Sequence, residues 1–279
     1  MAIVNRTPDS FYDRGATFAQ AAAIAAATTA LDAGADIIDI GGVKAGTGPF
    51  VSVDEEVDRV VGVIAAMREC RPSAVISVDT YRSEVAAEAL AAGADLVNDP
   101  WEGHDPGVAA AAARAGAGLV CTHAGHLPPR SDPRDPRYDD LMTDVVATLR
   151  SLAERAVGAG VRPDGILVDP GHDFGKTTTQ SLEISRQLEK VVASGWPVLV
   201  ALSNKDFVGE TLDLPVDQRL AGTLAATVLA AWAGARVFRV HNVAETRQAL
   251  DMVAAIRGDR LPAAARRGIS ANGPAANAC

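Results

Sequence analysis

The chain has 279 residues, a formal net charge of −9 and 4% aromatic residues. Because nucleic acids and anionic membrane surfaces are themselves negative, an acidic protein of this kind is not expected to bind either. The longest apolar stretch, residues 19–31, is mostly alanine and too short to span a bilayer. The chain begins in a strand-like run rather than in a signal peptide. These features argue against a membrane protein and predict a globular protein with a core of Ala, Val, Leu and Ile.

The three cysteines, Cys70, Cys121 and Cys279, lack the spacing of a metal site and the even number of a disulfide framework. Free thiols are typical of a reducing compartment. We therefore expect the protein to be cytoplasmic.

One pattern recurs along the chain: an alanine-rich helical stretch, an Ala-Gly pair, and four or five aliphatic residues. Each glycine lies where a helix must end with positive φ and a strand follows at once. Short aliphatic runs between helices are typical of buried parallel strands. In chain order, strands are predicted at residues 2–4, 37–40, 75–78, 96–97, 118–121, 166–168, 198–202 and 237–240. Helices are predicted near residues 18–33, 54–70, 82–92, 106–115, 138–159, 177–194, 216–233 and 244–257.

Eight strand–helix units in about 260 residues match an α/β fold, the (β/α)8 TIM barrel, in a single domain. The barrel is assigned to residues 1–260. Residues 261–279 lack hydrophobic periodicity and contain several Gly, Pro and Asn residues, so they are assigned to a disordered tail. An open doubly wound sheet is the alternative, and it is weaker because no Gly-x-Gly-x-x-Gly segment follows the first strand.

Polar residues follow nearly every predicted strand. In a barrel the active site lies on the loops after the carboxyl ends of the strands, so these side chains are expected to share one ligand site. They are Asn5, Gly41, Gly42, Asp79, Asn98, Asp99, Thr122, His123, Asp169, Ser203, Asn204, Lys205, Arg239 and His241. Of these, His123 is interpreted as a packed or hydrogen-bonded residue rather than a ligand.

Part of this ring suits a flat heterocycle with amino and oxo edges. Asp79 and Asp169 are hydrogen-bond acceptors. Asn98 both donates and accepts, and Lys205 donates as a point charge. Together they can satisfy both kinds of edge on such a ring.

Another part of the ring suits a phosphate. Arg239 and His241 alternate along the last strand and therefore face the same side. Cationic donors after the last two strands lie where barrels commonly hold phosphate. Asn5 adds an oxygen ligand for a phosphate-bound Mg²⁺.

Six segments, in this order along the chain, resemble signatures of the dihydropteroate synthase family. They are residues 3–11 (IVNRTPDSF), 39–42 (DIGG), 77–81 (SVDTY), 97–99 (VND), 169–176 (DPGHDFGK) and 239–242 (RVHN). The resemblance extends from Met1 to about Ile256. In this family the amine of p-aminobenzoate displaces pyrophosphate from (7,8-dihydropterin-6-yl)methyl diphosphate with the help of Mg²⁺.

The resemblance implies a role for most residues of the ring. Arg239 and His241 would hold the pyrophosphate, together with Mg²⁺ bound by Asn5. No nucleophilic side chain is implied, and no residue is assigned as catalytic. The resemblance also implies a homodimer through the late helices. The pterin-binding residues that it implies are Asp79, Asn98, Asp169 and Lys205.

Two loops depart from the family pattern. After the second strand the family carries E-S-T-R-P-G, whereas residues 42–48 of this chain read GVKAGTG. After the seventh strand the family carries S-R-K-S, and here Asn204 replaces the arginine. Since asparagine cannot supply a charged donor, the site for the aminobenzoate carboxylate is expected to be damaged, with Lys44 as a partial substitute. The residues assigned to the acceptor side and lid are Phe11, Lys44, Ser203 and Asn204.

We therefore expect a paralogue that keeps the pterin pocket but has little or no dihydropteroate synthase activity. A working synthase with a rebuilt acceptor loop is the alternative. Methyltetrahydrofolate-dependent methyltransferases share the barrel and the pterin site, but the first loop and the pair Arg239 and His241 fit that class less well.

Overall fold

The computed structural model describes residues 1–7, 15–131 and 136–267 of the chain. Strands and helices alternate along these residues. The strands are β1 (Ala2–Asn5), β2 (Ile37–Gly41), β3 (Val75–Asp79), β4 (Leu96–Asp99), β5 (Gly118–Thr122), β6 (Ile166–Asp169), β7 (Leu199–Val200) and β8 (Val237–Phe238). The helices are α1 (Gln20–Asp32), α2 (Val53–Cys70), α3 (Ser83–Ala91), α4 (Gly107–Ala115), α5 (Leu141–Gly158), α6 (Thr178–Arg186), α7 (Leu188–Val192), α8 (Asp206–Leu212), α9 (Leu220–Ala233) and α10 (Val243–Arg257). None of these helices is both long enough and apolar enough to cross a membrane.

The eight described strands close into a parallel barrel. Strands β1 to β6 pair in chain order in one sheet, and β7 pairs with β8. Isolated parallel bridges from Val168 to Val198 and from Ala2 to Val240 join the two sheets at both edges. The predicted (β/α)8 barrel is therefore confirmed, and the open doubly wound alternative is wrong.

The glycines that end the helices have the expected backbone conformation. Gly116 ends α4 with φ of 66°, and Gly234 ends α9 with φ of 109°. After Gly116 the backbone N–H of Ala117 donates to the carbonyl of Ala112 over 2.9 Å, and β5 begins one residue later. The recurring Ala-Gly pair is thus a helix stop that leads directly into a strand.

One predicted helix, residues 177–194, is two helices in the structure. Gln187 lies between α6 and α7 and leaves helical geometry, with φ of −114° and ψ of 21°. Hydrophobic periodicity cannot reveal this interruption, because the buried side chains keep helical spacing across it. They are Ser181, Ile184, Leu188 and Val191.

The region after β6 also differs from the prediction in its shorter elements. Helix α8 was not predicted, and its 7 residues are too few for a periodic pattern, although it buries Phe207 and Val208. Strands β7 and β8 have 2 residues each. They are shorter than predicted because Val198 and Val240 form isolated bridges in place of a continuous ladder.

The carboxyl ends of the parallel strands form one rim of the barrel. Asn5, Gly41, Asp79, Asp99 and Asp169 are the last residues of β1, β2, β3, β4 and β6. The fold therefore brings the polar residues that follow the strands to a single end of the molecule.

The last helix, α10, ends at Arg257. Residues 261–267 are exposed and belong to no helix or strand. The remainder of the predicted tail, residues 268–279, lies outside the described residues, so its disorder stays a prediction.

Candidate functional site

A cavity of about 360 Å³ opens at this rim. Its walls come from β1, from residues at the ends of β3, β7 and β8, and from the β2–α2, β4–α4, β5–α5 and β6–α6 connections. The volume lies within the range of small-molecule sites. Seven residues predicted for the site line the cavity together: Asn5, Lys44, Asp79, Ser203, Lys205, Arg239 and His241.

Arg239 is held between two carboxylates. Its Nε donates to Asp39 Oδ2 and its Nη2 donates to Asp79 Oδ2, each over 2.6 Å. Asp39 is fully buried, and it also accepts hydrogen bonds from Ser77 Oγ at 2.6 Å and from Asn98 Nδ2 at 3.1 Å. Charged groups buried to this extent need such partners, since an unpaired buried charge is strongly destabilising.

The electrostatics of this network favour the charged arginine. Burial opposes the charge of Arg239, but the carboxylates of Asp39 and Asp79 together raise its pKa. Burial raises the pKa of Asp79 to about 7, and the guanidinium of Arg239 opposes that rise. The positive charge of Arg239 is thus largely neutralised within the protein itself.

Asn98 and Asp169 lie outside the described lining of the cavity. Asn98 reaches the network through Asp39. Asp169 is buried at the end of β6, where Oδ1 accepts the backbone N–H of Gly171 over 2.8 Å. Burial raises the pKa of Asp169, while Lys205 opposes the shift. Neither residue therefore lines the cavity directly: Asn98 interacts with its lining through Asp39, and Asp169 through the charge of Lys205.

Lys205 lies between the cavity and the β6–α6 loop. Its ammonium group donates to the carbonyl of His172 and lies 4.6 Å from the centroid of the Phe174 ring. Burial lowers the pKa of Lys205, and the carboxylates of Asp173 and Asp169 oppose that shift. These contacts hold the amine in place as a hydrogen-bond donor in the cavity wall.

Ser203 and His241 form a hydrogen-bonded pair after β7 and β8. The backbone N–H of His241 donates to Ser203 Oγ over 3.2 Å, and this oxygen lies 3.0 Å from His241 Nδ1. Because the hydroxyl already accepts from the backbone, its proton can be donated to Nδ1. In the neutral imidazole, Nε2 is then the nitrogen that carries a proton, which suits an anionic ligand.

Comparison with known proteins agrees with this geometry. The family described as Pterin binding enzyme matches residues 1–241. A Mycobacterium leprae protein named inactive dihydropteroate synthase 2 is 55% identical over 274 residues, which are 97% of this chain and 94% of that protein. The chain belongs to the dihydropteroate synthase family.

Proteins named simply as dihydropteroate synthase are also similar to this chain. The Bacillus subtilis dihydropteroate synthase is 40% identical over 258 residues, covering 92% of this chain and 87% of that protein. A crystal structure of Yersinia pestis dihydropteroate synthase with a sulfonamide drug superposes with a TM-score of 0.87 at 38% identity. It covers 93% of each chain, so the barrel of this protein is the barrel of the family.

Asn204 occupies the position at which the dihydropteroate synthase motif has arginine. It adopts a left-handed conformation with φ of 56° and is 1% exposed. Its backbone N–H donates to Thr223 Oγ1 over 3.0 Å, and its Nδ2 donates to Asn242 Oδ1 over 3.3 Å. Asn204 therefore packs against α9, outside the described lining of the cavity.

The divergent loop after β2 forms part of the cavity wall. Lys44 lines the cavity there. Arg130 supports the loop from the β5–α5 connection, donating from Nε to Gly46 O over 3.2 Å and from Nη1 to Pro49 O over 2.8 Å. Phe11, the remaining residue assigned to the acceptor side and lid, lies outside the described residues.

Three residues at the site were not predicted as functional. Asp39 is the centre of the buried network, and a carboxylate within the aliphatic strand sequence IIDI was an available signal. Trp101 and Phe174 line the cavity, and their rings meet edge to face with centroids 5.3 Å apart. Phe174 lies within the segment 169–176 (DPGHDFGK), which was an available signal, whereas no local pattern marks Trp101.

Proposed function

We propose that this protein binds a pterin in the rim cavity but condenses it with p-aminobenzoate slowly or not at all. The observation that carries the proposal is the asymmetry of the cavity: Asp79, Lys205 and Arg239 meet in it, whereas Asn204 lies against α9. The greater similarity to a relative named inactive dihydropteroate synthase 2 than to the Bacillus subtilis synthase supports the same view.

Asp79, Asn98, Asp169 and Lys205 form the pterin side of the proposed site. The carboxylates accept from the amino edge of the heterocycle, and Lys205 donates to its oxo edge. Because Arg239 already binds Asp79, a pterin must share or displace that ion pair. Trp101 and Phe174 supply apolar walls for the flat ring.

Arg239, His241 and Asn5 form the proposed diphosphate side. The Asn5 side chain is half-buried in the cavity wall, and an amide oxygen is a ligand that Mg²⁺ accepts alongside phosphate oxygens. The donor set therefore fits the metal of this family. Its chemistry at such a site is to neutralise charge on the leaving diphosphate. Arg239 and His241 add donors for the same oxygens.

A working synthase with a rebuilt acceptor loop is the second candidate. Lys44 favours it, because this residue brings a positive charge to the wall where the aminobenzoate carboxylate would be bound. Lysine lacks the planar bidentate geometry of the missing arginine, so it is a weaker substitute.

Growth and binding experiments test the proposal together. The gene is not expected to restore growth to a strain that lacks its dihydropteroate synthase, whereas the Bacillus subtilis gene should. Calorimetry with the dihydropterin methyl diphosphate and Mg²⁺ should show binding, and Asp79→Asn should weaken it by about 10- to 100-fold through loss of a charged acceptor. Growth equal to that of the strain carrying the Bacillus subtilis gene would refute the proposed lack of synthase activity. Absence of heat from the wild-type protein would refute pterin binding.

The proposal includes a homodimer formed through α9 and α10. These helices pack against each other and expose four large apolar side chains. They are Leu229 (69% exposed), Trp232 (58%), Met252 (59%) and Ile256 (62%). Large exposed apolar patches mark association surfaces.

Trp232→Glu is expected to weaken this dimer at least about tenfold, because burying a new carboxylate at an apolar interface is costly. Light scattering across a range of protein concentrations measures the effect. Phe50→Glu, at a side chain 83% exposed in the β2–α2 loop, is the matched control and should leave the mass unchanged. A wild-type protein that is monomeric at every concentration would contradict the assignment.

We also place the protein in the cytoplasm. Cys70 and Cys121, the cysteines within the described residues, are both free. Cys121 is buried in β5, where desolvation raises the pKa of its thiol to about 12 and keeps it protonated at neutral pH. Free thiols of this kind are typical of a reducing compartment.

A further inference from the structure

Two histidines and an aspartate converge beside the β5–α5 connection. His123 directly follows β5, His126 lies three residues further on, and Asp144 lies in the first turn of α5. We propose that these three side chains form a binding site for a divalent transition-metal ion of the Zn²⁺ class. The site is separate from the pterin cavity and does not depend on the function proposed for it.

The ligand atoms already lie close to coordination spacing. His123 Nε2 is 2.7 Å from Asp144 Oδ1, and His126 Nε2 is 3.2 Å from each oxygen of Asp144. All three ligand atoms lie within 4.8 Å of one another. Zinc bonds of about 2.0–2.1 Å in tetrahedral geometry separate neighbouring ligand atoms by roughly 3.3 Å. Only small shifts are needed to place an ion among them.

His126 is oriented by Glu102. Its Nδ1 lies 2.7 Å from Glu102 Oε1, while Glu102 Oε2 accepts the backbone N–H groups of Ala124 at 3.1 Å and His126 at 2.8 Å. A histidine that donates from Nδ1 to a carboxylate presents Nε2 as the metal ligand, and this pairing is typical of metal sites. The carboxylate of Glu102 is itself fixed by the loop backbone, so the orientation is built into the fold.

His123 is fully buried, as a packed residue would be, and it is oriented by Lys176. Lys176 Nζ lies 2.8 Å from His123 Nδ1 and also donates to the carbonyls of Gly171 and Phe174. These contacts fix the plane of the imidazole ring, and its Nε2 points to Asp144 Oδ1.

Three protein ligands leave one coordination position for water or a small ligand, as in open zinc sites. The His126 side chain is 57% exposed and borders a second cavity, of about 600 Å³, that also includes Trp101 and His104. Oxygen and imidazole ligands of this kind suit Zn²⁺ rather than Mg²⁺ or Ca²⁺, which take oxygen ligands. The preferred ion is therefore Zn²⁺ with one exchangeable water.

The position of the site gives the ion a structural consequence. Arg130 belongs to the same β5–α5 connection and contacts the β2–α2 loop at Gly46 and Pro49. Cross-linking the start of this connection to α5 stabilises the segment that supports the acceptor wall. Bound metal is thus expected to raise the melting temperature of the whole chain.

Zinc titration of the untagged, chelator-stripped full-length protein tests the site. Calorimetry should show one Zn²⁺ bound per chain, and Co²⁺ should give the visible absorption of a four-coordinate ion. His126→Ala should weaken binding at least about 100-fold, and Glu102→Gln by about 10- to 100-fold. His104→Ala removes an exposed histidine from the same cavity and should bind like wild type.

His126 is mostly exposed, so its variant is expected to fold, and a circular dichroism spectrum equal to that of wild type confirms this. Zn²⁺ should raise the melting temperature of the wild-type and His104→Ala proteins, but not that of His126→Ala. Wild-type protein that binds no Zn²⁺ at micromolar concentrations overturns the proposal. Equal binding by wild type and His126→Ala overturns it as well.

Discussion

Replacing Arg239 with methionine is expected to lower the free energy of unfolding by about 3–5 kcal/mol, because the substitution leaves a buried ion pair without its cation. Asp39 is fully buried and Asp79 has 13% of its side chain exposed, so water replaces the guanidinium only in part. Methionine keeps much of the apolar volume of the arginine stem, and therefore the loss reports chiefly on the charge. Urea denaturation followed by circular dichroism measures the effect.

Arg162→Met is the matched control for this experiment. Arg162 also forms a bidentate pair with a carboxylate, that of Asp164, but both side chains are largely exposed, at 74% and 68%. Exposed ion pairs contribute little to stability. The urea midpoint of Arg162→Met should therefore equal that of wild type within error. Equal midpoints for the two variants would contradict a structural role for the Arg239 network.

The deficit of Arg239→Met is also expected to depend on pH. The guanidinium opposes the burial that raises the pKa of Asp79, so its loss raises that pKa further. A carboxyl with a higher pKa in the folded state binds more protons when folded, and its contribution to stability is lost as the pH rises through the folded value. The free energy of unfolding of the variant should therefore be closer to that of wild type at about pH 5 than at about pH 8. If the free energies of unfolding of the two proteins differ by the same amount at both pH values, Asp79 is not the cause of the pH dependence.

The barrel was predictable because its signals are local. Aliphatic runs such as Val75–Asp79 begin a few residues after a helix ends. Eight repetitions of this helix–strand unit leave few alternative folds. The same logic located Asn5, Asp79 and Lys205, since parallel strands bring their carboxyl ends to one rim. Residues far apart in the chain could thus be grouped without knowledge of any contact.

The pairings within the site could not be predicted in this way. Arg239 and Asp39 are 200 positions apart, and their contact depends on closure of the barrel between Val240 and β1, which pairs with β2. The direction of Asn204 depends on a left-handed backbone and on Thr223 in α9. Residue types along a strand end predict which side chains reach the rim, but three-dimensional packing decides whether each one faces the ligand or a neighbouring side chain.

Turnover of p-aminobenzoate is expected to be at least about a hundredfold slower than that of an active family member such as the Bacillus subtilis synthase. Loss of a charged hydrogen bond costs about 1.5–3 kcal/mol, and two such losses correspond to roughly a 10²- to 10⁴-fold slower reaction. Poor positioning of the amine by the altered loops adds to this loss. A coupled assay for released pyrophosphate measures both proteins under the same conditions.

Asn204→Arg alone is not expected to restore activity. Asn204 is buried with positive φ, a conformation that asparagine tolerates better than arginine, and its partners Thr223 and Asn242 hold it against α9. An arginine there must leave this pocket and turn toward the rim before it can bind a carboxylate.

Replacing residues 42–48 with the family sequence supplies the other half of the acceptor wall. The combined variant should therefore exceed either single change by at least about tenfold, because the two groups act on one bound carboxylate. If it shows no gain while still binding the pterin diphosphate, the loss of activity lies outside these two loops. In that case the ion pairs that neutralise Arg239 are the next cause to test, since they reduce the charge that the cavity can offer to a departing diphosphate.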